Sequence, residues 1–507
     1  MSLLRPALLL LVAVFLVCLP RAELHDWTGT EGRRVQIASE MVASGDWMVP
    51  QLGNQPTFAK PPLHYWLVAA SISLFGEGYF AARIPSMLVL WLTGLLAFGL
   101  HRRAFGVGAA WTASLGVICA PLVVVKFPTA EIDPLFACLT AASLWLLAFG
   151  VARERRDSMV FAGVFGGLAF LTKGPVYFVF AAGAFLVWWR HRSVRGLLAY
   201  LLPLIAVPAL YFVPLLSICI GWDEFWGVAN AETVGRMSTY KLEHILALPG
   251  FWVRALLVQL PLVLWCFWEF RSTRDARMGP EDLTLRMCSG AAVFAVVVLS
   301  LWPGKPTRYL LPNIPLFIFA VAPAAAHYAR QTGLLGRFSR NALRVIGLAG
   351  ALALLAVPLL PAAFGMRSPA MFLVVALLPF LVRTPRALVA MCLWLPVAVG
   401  WTIYADYLQL WRVGHRCTVT TGPVVAAEFE RLGVTSANSS SWGHFDSGIY
   451  LSAGLSLPGD EFCREQPSTE FLVTEVSPEL PEYSGYVERV RICTPRKIFV
   501  IEERKDR

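Results

Sequence analysis

Residues 30–66 read TEGRRVQIASEMVASGDWMVPQLGNQPTFAKPPLHYW. They decide the fold because they separate the first apolar run from the later ones without being long enough to cross a bilayer. Thr30 suits the N-cap of a helix and Ser44-Gly45 its stop. Between them Val35, Ala38, Met41 and Val42 recur at helical spacing, while Glu31, Arg34 and Glu40 fall elsewhere on the wheel. The pattern predicts an amphipathic helix lying flat on the membrane. After a polar turn comes PPLHYWLVAASISLF, an apolar helix also short of the ~20 residues a crossing needs. Pro61 and Pro62 fix the backbone just after Lys60. Taken alone, that lysine reads as a side chain snorkelling to the interface.

Outward from this loop, composition sets the class. The chain has 507 residues, 57% hydrophobic and 15% charged, with a net charge of +10. Its mean hydropathy is +0.61, which excludes an ordinary soluble domain and predicts an all-α polytopic membrane protein. The positive charge does not point to nucleic acid, because it sits in short loops between apolar runs. Apolar runs fall near 7–24, 79–101, 107–126, 131–152, 159–173, 175–190, 196–219, 251–270, 285–302, 308–328, 343–364, 369–383 and 386–406. That is about thirteen spans by hydropathy. Arginines gather in alternate loops: Arg102 and Arg103, then Arg153 to Arg156, Arg190 to Arg195, Arg271 to Arg277, Arg330 to Arg344, and Arg383 with Arg386. Lys and Arg favour cytoplasmic loops, so these and the N-terminus face the cytoplasm. The first outer loop, 25–78, and the tail after residue 406 then face outside.

The first run resembles a signal peptide, with Arg5 ahead of PALLLLVAVFLV. It lacks a small-x-small cleavage site, so it is read as an uncleaved anchor. Of ten cysteines, seven lie in apolar runs as small hydrophobic filler. Cys417, Cys463 and Cys493 lie in the polar tail, where at most one pair can form; Cys463 with Cys493 is favoured, each adjoining an expected strand. No CxxC or Cys/His metal cluster occurs.

The remaining outer loops are short and charged. KFPTAEIDP carries Lys126, Glu131 and Asp133; LTKGP carries Lys173; WPGKPTRYLLP carries Lys305, Arg308 and Tyr309. The loop 220–250 holds Glu232, Arg236 and His244 among others. Lys and Arg on the depleted side need a reason, and a charge at a membrane boundary is costly unpaired. Lys60, Lys173, Lys305 and Arg308 together have the chemistry to hold a phosphate or pyrophosphate. Glu31 or Asp133 has the chemistry to take a proton from an acceptor or to hold a divalent metal, although ligands for a metal are few. Singly, each residue reads equally as an ion-pair partner or an interfacial anchor.

The stretch from Thr30 to Ser86, with GLAFLTKGP and SLWPGKPTRYLLPNIP in the expected order, resembles the membrane glycosyltransferases that include protein O-mannosyltransferases and lipid A 4-amino-4-deoxy-L-arabinose transferases. The resemblance covers roughly residues 25–330. It implies a GT-C fold with interfacial helices in the first outer loop. It also implies a sugar donor carried on a polyprenyl phosphate, and transfer on the outer face of the bacterial inner membrane to a lipid, glycan or protein acceptor. By motif position it implies roles for Glu31 and Arg33, for Lys60 before the double proline, for Asp133, for Lys173, and for Lys305 with Arg308. His244 stands near where the family often has a histidine, but its distance from Pro249 departs from that pattern. Two further departures stand out: Thr30 where an Asp is expected, and Ala59 where the arabinose transferases carry Glu. Glu31, Asp133 or Asp26 then takes over the missing acid, or the acceptor differs.

Residues 407–507 are of another material. PVVAAEFERLG predicts a helix, and SGIYLSA, EFLVTE, YVERVRIC and KIFVIEE predict strands, giving a small α/β domain outside the membrane after a transmembrane domain of residues 1–406. Asn438-Ser439-Ser440 matches a glycosylation triplet. Two other functions compete with transfer. A transporter or flippase would put its ionisable groups near the bilayer midplane in two related halves. A non-catalytic homologue would bind a lipid phosphate without turnover.

Overall fold

The computed structural model describes residues 4–22, 27, 30–53, 55–189, 193–223, 225–227, 230, 280–301, 307–320, 322, 422–435, 439–442, 471–475, 486–493 and 498–504. Its helices are α1 (Leu4–Ala22), α2 (Glu31–Ser44), α3 (Leu63–Phe75), α4 (Tyr79–Phe105), α5 (Val107–Ile118), α6 (Pro121–Lys126), α7 (Ile132–Ala152), α8 (Arg156–Lys173), α9 (Val176–Trp188), α10 (Val194–Pro214), α11 (Pro280–Ser300) and α12 (Gly422–Leu432). Four stretches among the described residues are long and apolar enough to cross a membrane: Tyr79–Phe105, Ile132–Ala152, Val194–Cys219 and Leu283–Ser300. Helices α1, α3, α5 and α9 contain shorter apolar stretches. The expected spans 251–270, 343–364, 369–383 and 386–406 lie outside the described residues.

One expected span is two helices. The run 107–126 breaks after Ile118, and α6 restarts with Pro121 at its first position. Proline has no N–H to continue the ladder and pushes the residue before it out of the helical region. Ala120 accordingly sits at φ −63°, ψ 138°. This break turns the chain toward the loop 127–131, which matters for the site.

Helix α2 starts at Glu31 and stops at Gly45, whose φ of 72° ends it in the left-handed region. Thr30 occupies the N-cap but makes no side-chain capping bond. The helix is not the half-exposed surface helix expected. Val35, Ile37, Ala38 and Met41 are buried, and so are Glu31, Arg34 and Gln36 on the other face. Its apolar side packs with Leu52, Tyr65, Val68 and Ala69, so α3 and the small hairpin β1 (Gln51–Leu52) with β2 (Gln55–Pro56) cover it. Glu40 Oε1 fastens that hairpin by accepting from Gly53 N at 3.0 Å.

A large apolar core joins α1, α4, α5, α7, α8, α9 and α11 through residues such as Leu10, Leu90, Ile118, Trp145, Ala162, Ala184 and Ala291. Helices α8 and α10 meet on glycine: a Cβ at Gly163 would lie 2.2 Å from the Tyr200 carbonyl oxygen. Small residues let apolar helices approach closely where lipid supplies no hydrophobic drive.

In the tail, β3 (Ser439–Trp442), β4 (Phe471–Glu475), β5 (Tyr486–Cys493) and β6 (Ile498–Arg504) form a sheet in the order β3-β4-β6-β5. β3 runs parallel to β4 and the other pairs are antiparallel. Three of the expected strands and the helix are present at their expected places; the fourth, over 447–453, lies outside the described residues, as do Cys417 and Cys463. The strand at 439–442 was unexpected. Ser-Ser-Ser-Trp has little strand preference of its own, and its pairing with β4 is a tertiary effect. Val425, Phe429, Val473 and Ile501 share one buried cluster with Val35, Tyr65 and Val68 of α2 and α3.

Candidate active site

The loop 127–131 is short, and it carries one carboxylate at its end and a second in the first turn of α7. Neighbouring elements hold its backbone on several sides. Ser86 Oγ of α4 donates to the Thr129 carbonyl at 2.8 Å. Thr129 Oγ1 donates to the Lys126 carbonyl at 2.7 Å. The Ala130 peptide is gripped at both ends: its N–H donates to Glu31 Oε1 at 2.8 Å, and its carbonyl lies 2.8 Å from His64 Nε2. A carbonyl only accepts, so Nε2 carries the proton and Nδ1 is left as an acceptor. Burial holds the His64 pKa down at about 4, outweighing its bond to Ala130, and its charged neighbours are Arg34, Asp133 and Glu31. The ring is therefore neutral at physiological pH.

Glu31 is wholly buried. Arg83 of α4 reaches it with two bonds, Nε to Oε1 at 2.7 Å and Nη2 to Oε2 at 3.1 Å. This forked pair, together with the Ala130 amide, engages both carboxylate oxygens. Arg83 escaped the sequence reading. Its signal was there: a lone arginine in the second turn of an apolar helix needs a partner.

The two carboxylates at the start of α7 face cations from three other elements. Lys126, the last residue of α6, donates to Glu131 Oε2 at 2.5 Å. Lys173, the last residue of α8, pairs with Asp133 Oδ1. Arg308, in the 3₁₀ turn Thr307–Leu310, stands 3.6 Å from Glu131 Oε1 and 3.9 Å from Asp133 Oδ2. Tyr309 caps the group, its ring centroid 4.3 Å from Lys173 Nζ. Among the described residues, three cations against two carboxylates leave one positive charge in excess. Arg308 is the accessible member, with 30% of its side chain exposed, and both its contacts are longer than a hydrogen bond. Its guanidinium retains donors for an anion.

The turn that carries Lys60 reaches the end of α8. A Cβ on Gly174, which follows Lys173 at φ +70°, would lie 4.0 Å from Pro61 Cγ, so the turn carrying Lys60 abuts the turn carrying Lys173. Lys60 is partly buried and its Nζ donates to the Ala59 carbonyl at 2.7 Å. Arg33 lies on α2, half-buried. Asp26, Glu232, Arg236, His244 and Lys305 lie outside the described residues. Among the described residues, no three His, Cys, Asp or Glu side chains assemble as a metal site would require. Glu131 and Asp133 each already face a lysine.

Residues 59–218 match the family model described as dolichyl-phosphate-mannose-protein mannosyltransferase. Among curated proteins, the chain is similar to an undecaprenyl phosphate-alpha-4-amino-4-deoxy-L-arabinose arabinosyl transferase of Edwardsiella ictaluri, 31% identical over 69% of this chain and 64% of that protein. It is also similar to a protein of the same description from Pseudomonas fluorescens, 30% identical over 70% of this chain and 62% of that one. The chain thus spans just under two thirds of these relatives' length. Among solved structures, ArnT from Cupriavidus metallidurans bound to undecaprenyl phosphate superposes with a TM-score of 0.64, covering 99% of this chain and 98% of that chain at 21% identity. At 21% identity this likeness shows the fold: the chain shares the GT-C fold. That fold is helical and multi-pass, and α4, α7, α11 and the stretch Val194–Cys219 have the length and apolar composition to cross a membrane.

Proposed function

We propose that this chain is an integral membrane glycosyltransferase that moves a sugar from a polyprenyl-phosphate donor to a lipid, glycan or protein acceptor on the outer face of the membrane. The observation that carries this reading is the convergence of Lys173 and Arg308, from distant parts of the chain, on Asp133, with Lys126 beside them and one positive charge in excess. The names of the relatives support it. In this reading about thirteen spans cross the membrane, the Arg-rich loops face the cytoplasm, and the tail domain 407–507 lies on the site's side.

The donor phosphate would lodge against Arg308, Lys173 and Lys60, with Lys305 supplying a further charge. Phosphate is already a leaving group, and cations aimed at it lower the barrier to its departure. Asp133 holds Lys173 and faces Arg308, and so presents both cations. Glu31 and Arg83 fix the loop through Ala130; the carboxylate of Glu31 is already committed to that task. Tyr309 stands over Lys173, and Arg33 would add a further charge from α2. A divalent metal would have to displace Lys126 and Lys173 from the two carboxylates, so the residues present do not fit one and no step is assigned to it.

The test uses purified protein in lipid vesicles with radiolabelled undecaprenyl-phosphate 4-amino-4-deoxy-L-arabinose and other undecaprenyl-phosphate sugars, with lipid A and glycan acceptors. Transfer of label supports the reading. Movement of unmodified donor across the bilayer would indicate a transporter instead, and binding without turnover a sensor. In the same assay Lys60→Ala should abolish transfer, a loss of 10²-fold or more by order of magnitude, while membrane insertion is unchanged. A fully active Lys60→Ala protein would remove Lys60 from the phosphate site.

A further inference from the structure

Three carboxylates stand at the loop 127–131, and their oxygens are unequally used. Glu31 accepts from Arg83 with both oxygens and from the Ala130 amide with one. Asp133 is joined directly to Lys173 and faces Arg308 with its other oxygen. Glu131 is different. Its Oε2 is tied to Lys126 at 2.5 Å, while Oε1, wholly buried, accepts no hydrogen bond among the described residues. The Arg308 guanidinium stands 3.6 Å from that oxygen. A buried carboxylate oxygen left without a donor is costly, and it is retained where a ligand supplies the missing proton.

We propose that Glu131 is the proton acceptor of the transfer reaction, its Oε1 receiving the hydroxyl proton of the incoming acceptor. The proposal rests on the transferase reading above and assigns a step within it. The geometry sets the order of events. Arg308 is the partly exposed neighbour of Oε1, so drawing its guanidinium onto a donor phosphate uncovers that oxygen. Lys126 holds Oε2 and so keeps Oε1 turned toward the cation group. The acceptor oxygen then attacks the anomeric carbon of the sugar. The new carbon–oxygen bond forms as the bond from that carbon to the phosphate oxygen breaks. The electron pair of the broken bond leaves on the phosphate, beside Arg308 and Lys173. The acceptor proton passes to Glu131 Oε1, giving a neutral carboxylic acid that later returns it to water. Glu131 sits at the N-cap of α7 with extended backbone, φ −78° and ψ 156°, so its side chain is placed by the same loop that His64, Ser86 and Glu31 fix.

The test compares full-length wild type with Glu131→Gln and Lys126→Gln in vesicles. It uses the most active donor of the undecaprenyl-phosphate sugar panel and, separately, binding of undecaprenyl phosphate alone. The expected result is a fall in kcat of about 10² to 10⁴ in Glu131→Gln, with the KM for donor and the binding of undecaprenyl phosphate within about threefold of wild type. The acid limb of the wild-type rate–pH profile should be missing from the residual activity. In Lys126→Gln, which removes the cation favouring the ionised carboxylate, that limb should move to higher pH. This second variant keeps the proposal open to refutation if Glu131→Gln does not fold. A Glu131→Gln protein that transfers within threefold of wild type overturns the proposal and leaves the transferase reading standing. An acid limb unmoved in Lys126→Gln also overturns it. A wild-type protein that transfers from no donor in the panel overturns both.

Discussion

His64 joins α3 to the loop 127–131 through a single bond, from Nε2 to the Ala130 carbonyl at 2.8 Å. Burial holds its pKa at about 4, against about 6.5 in an unfolded chain. Between those values the unfolded chain binds a proton that the native ring refuses, so stability falls as pH falls from 6.5 toward 4 and levels off below. The full difference is on the order of 3 kcal/mol. We expect the thermal midpoint of the detergent-solubilised protein to drop across this window. In His64→Gln, where an amide can still donate to Ala130, the drop should shrink while transfer activity persists. An identical pH dependence in the variant would show that the carboxylates, not His64, set it. This residue was visible in the sequence only as one polar letter in an apolar helix. Its partner is a backbone carbonyl 66 positions away, and side-chain patterns do not report carbonyls. Lys173, Asp133 and Arg308 were legible for the opposite reason: a charge in an apolar run needs a partner, and each was the other's. Glu31 was legible as a candidate but not as a partner of Arg83.

At the scale of elements, the seam between α8 and α10 carries Lys173 to its place. Gly163 lies against the Tyr200 carbonyl, and Gly167 would place a Cβ 2.7 Å from that of Val207. Above this seam Ser143, Tyr177 and Tyr200 join through bonds of 2.6 Å and 2.7 Å, with Ser143 also donating to the Ala162 carbonyl. A methyl at Gly163 meets backbone, which cannot swing aside as a flexible side chain would. Gly163→Ala should therefore cost about 1–3 kcal/mol by overpacking, read as a lower thermal midpoint, and should reduce activity by tilting the C-terminal end of α8. Gly45→Ala is a contrasting case: a Cβ there meets nothing within 4 Å, and its penalty is confined to the positive φ. Equal effects from the two would deny the seam its importance. The glycines of α8 read in sequence only as small residues in a span. Which helix they admit depends on packing between segments about forty residues apart, which hydropathy does not encode. Hydropathy did place α4, α7 and α9 closely, and failed at 107–126, where one proline outweighs an otherwise continuous apolar run.

At the scale of the whole molecule, the two ends of the bundle differ in charge. Lys126 ends α6, Glu131 and Asp133 begin α7, Lys173 ends α8, and the loop after α2 brings Lys60 to the same end. The opposite end of the bundle carries Arg102 and Arg103 in the last turn of α4, Arg153 and Arg155 between α7 and α8, and Arg156 at the start of α8. A bundle in which one end holds paired cations and carboxylates and the other holds arginines in short turns has a defined direction in a bilayer, because Lys and Arg in short loops stay on the cytoplasmic side. The paired cations do not compete with that rule, since their charge is largely neutralised by Glu131 and Asp133 before the chain meets lipid. The tail sheet shares a buried cluster with α2 and α3, so it belongs to the same end as Lys60. An epitope placed after Arg507 should therefore be detected on intact spheroplasts of an expression host, whereas one inserted between Arg190 and Arg195 should be detected only after the membrane is permeabilised. Detection of both on intact cells, or of neither, would mean that the arginine turns and the tail share a side. The site would then open onto the face where its arginines lie, and a donor on the outer leaflet could not reach it.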